Sequence, residues 1–136
     1  MSSLYATEVS LGRLVFGQTD LEDKRRTERL VQTFDQLCRH PGGTLPDKLA
    51  SPAGLKGFYR FCDCETVTHA KLIESLRAHT LERLTNHEGP VLVLHDATEL
   101  DYTTLTSLAD ELGQIGKGTH RGYICQNVLA VDAQTG

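Results

Sequence analysis

The stretch Asn86-His87-Glu88-Gly89-Pro90-Val91-Leu92-Val93-Leu94-His95-Asp96 decides the fold, because the chain changes character inside it. Asn86 to Pro90 is a stop signal for a helical pattern, and Val91 to Leu94 is a continuous aliphatic run of strand length. Such a run is typical of a strand buried on both faces, so a central strand is predicted here. It is also the longest unbroken aliphatic run in the chain's 136 residues. Spanning a bilayer takes about 20 apolar residues, so no segment is predicted to cross a membrane.

Upstream of this switch the pattern is helical. Thr68 is a plausible cap for a helix in which Leu72, Ile73, Leu76, Thr80 and Leu84 keep the helical spacing. Before it, Ser51 can cap a short aromatic helix with Pro52 at its first position. Leu55, Phe58, Tyr59 and Cys62 would be its buried stripe, leaving Lys56 and Arg60 four residues apart on a more exposed face. The segment Asp20 to His40 reads as a longer helix, capped by Asp20, with Glu22 and Asp23 near the positive end of its dipole and Leu30, Phe34, Leu37 and Cys38 on one face. Pro41-Gly42-Gly43 ends it and opens a short loop. Residues 1–88 therefore read as a helical unit.

Downstream, Ala97 to Arg121 is polar and broken at Gly113, Gly116, Gly118 and Gly122, which predicts a long connection with one helical turn near Leu105 to Leu112. A second strand follows through Tyr123, Cys125, Val128, Ala130 and Val131, and ends in the turn-like Asp132-Ala133-Gln134-Thr135-Gly136. Two strands cannot close a core, so residues 89–136 read as the beginning of an incomplete domain. The predicted class is α+β: a helical unit followed by the first strands of a second one.

Composition agrees with a packed, soluble protein, since 39% of residues are hydrophobic and 24% charged; disorder and collagen-like repetition are excluded. The opening MSSLYATEVSLGRLVFG lacks a basic start, and Glu8 and Arg13 interrupt its apolar character, so it does not read as a secretory signal and a cytoplasmic location is expected. The net charge of −4 conceals an asymmetry. Residues 1–60 carry nine Lys or Arg against seven Asp or Glu, and residues 61–136 carry five against eleven. Lys24, Arg25, Arg26 and Arg29 lie within six residues, a density that a solvated helix face and a phosphate-binding surface explain equally well. Cys38, Cys62, Cys64 and Cys125 are expected to be free thiols; Cys62 and Cys64 with His69 could suggest a metal site, but zinc sites usually pair C-x-x-C spacings.

Asp96 is the most informative single position. A carboxylate leaving the end of a buried strand is held rigidly beside the core and suits a metal ion, although Asp-Ala-Thr is also a reasonable turn opener. Glu99 and Asp101 could join it in a carboxylate cluster or form a solvated acidic loop. His95 and Asp96 would point to opposite faces of a strand, so they form no dyad, and no nucleophile elbow or phosphate-cradling glycine loop is present.

Four blocks occur in a fixed order: LEDKRRTERLV at 21–31, GFYRFCDCETVTHAKLI at 57–73, VLVLHDATELDY at 91–102 and ELGQIGKGTHRGYICQNVLAVD at 111–132. In this the chain resembles the N-terminal part of IS4-type transposases, the Tn5-like group, from about Phe16 to Gly136. The resemblance implies that the helical part binds double-stranded transposon-end DNA through Lys24, Arg25, Arg26, Arg29, Lys56, Tyr59 and Arg60. It implies that the strands open a ribonuclease H-like catalytic domain in which Asp96 is the first carboxylate of a DDE triad and a ligand of Mg2+. It further implies association with the bacterial nucleoid and, in dimers, pairing with itself or with a full-length transposase, which would make an inhibitor of this chain. Two positions depart from the family pattern: Glu22 stands where glycine is usual, close to expected phosphates, and Ala97 stands where threonine is usual. The second Asp and the Glu of the triad belong to downstream elements, and Asp132 is no substitute. One carboxylate cannot hold two Mg2+ ions, so these residues alone are expected to bind no metal tightly and to cleave no strand.

Overall fold

A computed structural model describes residues 9–49 and 51–135 and divides the chain into two compact units, Met1–His87 and Glu88–Gly136. The arrangement is α+β: helices first, then a small antiparallel sheet.

Among the described residues the helical unit opens with α1 (Leu11–Phe16), whose six residues are too few to show a periodic pattern in the sequence. The first eight residues of the opening stretch lie outside the described residues. Ser10 caps α1 by accepting from the Arg13 N–H at 3.2 Å. Gly12 lets α1 lie close on α2 (Lys24–Arg39): a Cβ there would stand 2.7 Å from the Val31 carbonyl oxygen, and its N–H donates to Asp35 Oδ1 at 2.8 Å. Val15 and Phe16 of α1 then join Leu21, Leu30, Val31 and Phe61 in the core, with Phe34, Val67 and Leu72 packed against it. Phe16 meets Phe34 edge to face at 5.0 Å between ring centres. Cys38, expected on the same buried face, is exposed, because the last turns of α2 run beyond the core.

The start of α2 differs from expectation and explains one departure from the family pattern. Asp23, not Asp20, is the cap, accepting from the Arg25 N–H at 2.8 Å. Asp20 instead closes a turn by accepting from the Glu22 N–H at 2.9 Å, and Glu22 sits at φ 65°. That left-handed conformation is where glycine belongs, and holding another residue there costs roughly 1–2 kcal/mol. Its carboxylate faces Lys71 Nζ at 3.4 Å, an exposed pair worth at most about 1 kcal/mol. Glu22→Gly is therefore expected to raise the stability of the helical unit by up to about 1 kcal/mol, seen as a rise of a few degrees in thermal midpoint.

A single-turn helix, α3 (Leu45–Lys48), occupies the expected loop. The Asp47 carboxylate ties it by accepting from the Thr44 N–H at 2.9 Å and hydroxyl at 2.6 Å. In α4 (Pro52–Cys62) Ser51 is the cap, as expected, but the buried stripe is rotated. Phe61 is buried and Leu55 and Phe58 half-buried, while Tyr59 and Cys62 are exposed. The expected stripe counted only apolar side chains; the helix instead turns Gly54 and Gly57 inward with Phe58 and Phe61, because glycines permit close approach. Thr68 caps α5 (His69–Thr85), accepting from the Lys71 N–H at 3.3 Å. Of its expected apolar stripe only Leu72 reaches the core, and Ile73, Leu76 and Leu84 are exposed.

The sheet unit holds β1 (Val91–Asp101), β2 (Gly113–Gln114) and β3 (Arg121–Asp132) in the order β1-β3-β2, all antiparallel, with a short 3-10 turn at Thr106–Leu108 in the connection. The predicted central strand is thus an edge strand, and β3 is central. Both are also longer than the aliphatic runs suggest, because β1 and β3 pair continuously from Val91 with Asp132 to Asp101 with Gly122. Leu112, Ile115 and Gly122 are the buried residues at the far end, and Tyr102 and Tyr123 meet edge to face at 6.1 Å. At the near end the sheet is aliphatic on both faces: Leu92, Leu94 and Leu129 on one, Val93 and Val128 on the other, all exposed within this unit.

Candidate nucleic-acid interface

The seven residues predicted to touch DNA lie on α2 and α4, and the fold divides them by what their charges already meet. Arg26 is turned inward: its Nη1 donates to the Leu21 carbonyl at 3.0 Å and to Thr66 Oγ1 at 2.9 Å, tying the start of α2 to the loop after α4. Arg25 is exposed and forks onto its neighbour, with Nη2 to Asp23 Oδ2 at 2.9 Å and Nε to the same carboxylate at 3.2 and 3.3 Å. That guanidinium, with the Arg25 N–H, lowers the Asp23 carboxyl from its ordinary 3.8 to about 2.

Lys24, Arg29, Lys56 and Arg60 are exposed, and among the described residues none of them has an acid within ion-pair distance. The nearby acids of α2 are engaged elsewhere, Glu28 by Arg13, Asp23 by Arg25 and Glu22 by Lys71. The negative charge of Glu22 is thereby drawn to α5.

α2 and α4 pack on each other, and their contact gathers three of the unpaired cations. The Arg29 guanidinium lies against Gly57, its Cζ, Nη1 and Nη2 standing 3.2, 3.3 and 3.3 Å from where a Cβ would be. Lys56 precedes Gly57 directly, and Arg60 follows one turn later on the same helix. Tyr59 is 52% exposed and its ring stands 6.0 Å from that of Phe58, so its hydroxyl end is open to solvent. An uncompensated patch of this kind costs self-repulsion in the isolated protein and is relieved by phosphates.

Residues 13–67 match the family of transposase DNA-binding domains. The match runs from within α1 through α4 to the loop that Arg26 secures, and it supports a transposase N-terminal domain with DNA as partner. It contains all seven predicted DNA-contact residues. Within it, α2 and α4 carry the unpaired cations, whereas α1 serves the core.

The cap of α2 makes this surface sensitive to acid. A carboxyl lowered to about 2 stabilises the folded form fully above about pH 4, and the contribution is lost as pH falls through about 2. Asp101 of the sheet unit is lowered to the same value, chiefly by the Thr103 hydroxyl, then by the Thr103 N–H and His120, so it titrates in the same window. Asp23→Asn is therefore expected to flatten the loss of helical circular dichroism between pH 4 and pH 2 without altering the titration of the sheet. An unchanged acid transition would show that the Asp23 cap does not govern it.

Asp96 lies outside the matched segment. Instead of leaving a strand end it occupies the middle of β1, opposite Asn127, because the β1–β3 pairing continues to Asp101. Its side chain is exposed and makes no hydrogen bond among the described residues. The expected cluster with Glu99 and Asp101 does not form. Both lie on the other face of the strand, where Glu99 accepts from the Gly116 N–H at 2.9 Å and Asp101 holds Thr103 and His120. Among the described residues no three His, Cys, Asp or Glu side chains converge as metal ligands, at Asp96 or at Cys62 and Cys64. Nor is any helix there long and apolar enough to cross a membrane.

The sequence reading missed the part played by Gly57. A glycine inside an otherwise well-formed aromatic helix is the one signal that could have disclosed a close approach there.

Proposed function

We propose that this chain binds transposon-end DNA as the N-terminal part of an IS4-type, Tn5-like transposase, with α2 and α4 laid against the duplex. One observation carries the reading: in a chain of net charge −4, exposed cations without acid partners collect where α2 meets α4, inside the segment that matches transposase DNA-binding domains. Phosphate contacts by Lys24, Lys56 and Arg60 would neutralise most of that patch, Arg29 lies among them facing the same duplex, and Tyr59 can add a hydroxyl to the backbone. Arg25 can join only by exchanging its Asp23 partner for phosphate.

The reading extends to the sheet unit as the opening of a ribonuclease H-like domain. A sheet that is aliphatic on both faces suits a fold that packs helices on both sides. Asp96 would be the first DDE carboxylate, an unengaged oxygen donor on a rigid strand. Mg2+ requires near-octahedral oxygen coordination, so one carboxylate fits it only as part of a larger set, and the ion's role belongs to the full-length enzyme.

Fluorescence anisotropy with duplex DNA across a salt series tests the binding claim. The logarithm of the affinity should fall linearly with the logarithm of salt concentration, with a slope of roughly three for three phosphate contacts. Affinity without salt dependence, or no affinity at low salt, overturns it.

A further inference from the structure

We propose that Gly57 is a positioning residue: it seats the Arg29 guanidinium flat against α4, making Arg29 the sequence-discriminating contact while Lys56 and Arg60 grip phosphates. This rests on the DNA reading above and adds the division of labour within that site. The guanidinium carbon and both terminal nitrogens are nearly equidistant from the position a Cβ of residue 57 would take, at 3.2, 3.3 and 3.3 Å. The plane therefore lies face-on to the helix, filling the space that the missing side chain leaves. Arg29 is exposed and makes no ion pair or hydrogen bond among the described residues, so its packing on Gly57 is the contact that can restrict it. A guanidinium restricted before binding loses less freedom when its planar fork meets a base edge, and guanine is the edge that such a fork matches in the major groove. Lys56 and Arg60 have no such seat, and flexible cations flanking a fixed one are suited to the backbone.

The test uses the full chain and a duplex that the wild-type protein enriches from a randomised pool, compared with a scrambled duplex of the same composition. Gly57→Ala inserts a Cβ into the seat, so the guanidinium must give by a few tenths of an ångström and loses its flat packing, while alanine favours the helix. It is expected to reduce the preference for the enriched duplex by roughly tenfold, leave the salt slope unchanged, and add nothing in an Arg29→Ala background. Circular dichroism reports whether helix content is retained. Should Gly57→Ala unfold, Arg29→Lys keeps the charge without the planar fork and is expected to lose the same preference. Preference preserved within about twofold in the folded variant, or lost equally in the Arg29→Ala background, overturns the seat while leaving the DNA reading standing. A wild-type chain that enriches no sequence overturns the role given to Arg29 while salt-dependent binding leaves the DNA reading standing; one that also binds without salt dependence overturns both.

Discussion

Replacing Arg29, Lys56 and Arg60 together by alanine is expected to weaken duplex binding by roughly a hundredfold near physiological salt, and to reduce the salt slope by about two. The three side chains are exposed and unpaired, so their removal leaves no buried polar group behind and should change thermal stability little. The comparison that gives the result its meaning is Arg26→Ala. It removes one positive charge from the same helix, yet its guanidinium holds the Leu21 carbonyl and Thr66. Arg26→Ala should lower the thermal midpoint and shift the salt slope far less than the triple variant. If instead it reduced the slope by about one with no loss of stability, Arg26 would belong to the phosphate surface. If the triple variant bound as tightly as the wild type, the interface would lie elsewhere.

Phe16→Ala has the largest expected effect on stability, about 3–5 kcal/mol. Phe16 comes from a helix of only six residues, and its ring both fills the core and meets Phe34 edge to face. A unit of this size has a total stability of roughly 4–13 kcal/mol, so the loss is about a quarter of it at least and can be all of it. Besides Phe16, α1 offers the core only Val15; its remaining ties to α2 are polar, the Gly12 N–H to Asp35 and Arg13 to Glu28. The measurement is urea denaturation followed by helical circular dichroism, where the midpoint should move far to lower urea. A shift corresponding to less than about 1 kcal/mol would mean that α1 is dispensable to the core.

The class of the fold was legible because its signals are local. Gly89-Pro90 followed by four aliphatic residues marks the change from helix to strand, and Ser51 and Thr68 cap helices where their hydroxyls predict. What was not legible depends on partners distant in sequence. The rotation of α4 follows from Gly54 and Gly57, which carry no apolar side chain to count, and the sheet order follows from β3 pairing on both its sides. Asp23 and Asp20 are equally good caps by composition; the left-handed turn at Glu22 decides between them. In the site, a run of four basic residues on α2 reads as one surface, but the Arg26 guanidinium bends to the Leu21 carbonyl and Thr66 while that of Arg29, a turn further on, reaches Gly57 of α4, and only the fold reveals which charge is spent on internal hydrogen bonds.

The pairing of β1 with β3 also bears on how quickly each unit forms. In the helical unit α1 packs on α2 and α3 on α4 over short separations, whereas α1 with α5 and α2 with α4 join more distant segments, so its first contacts are local and its last are not. The sheet must bring Val91 to Asp132, the two ends of nearly the whole unit, before its longest ladder is complete. Closure entropy and dependence on non-local pairs make such an assembly slow. Its readiest starting point is the Asp101–Gly122 end, where β2, Leu112 and Ile115 shorten the loop to be closed. Refolding from urea should accordingly show a fast helical phase and a slower one in which the ladder zips from that end toward Val91. A nascent chain would then present a formed α2–α4 surface while its strands were still searching for register.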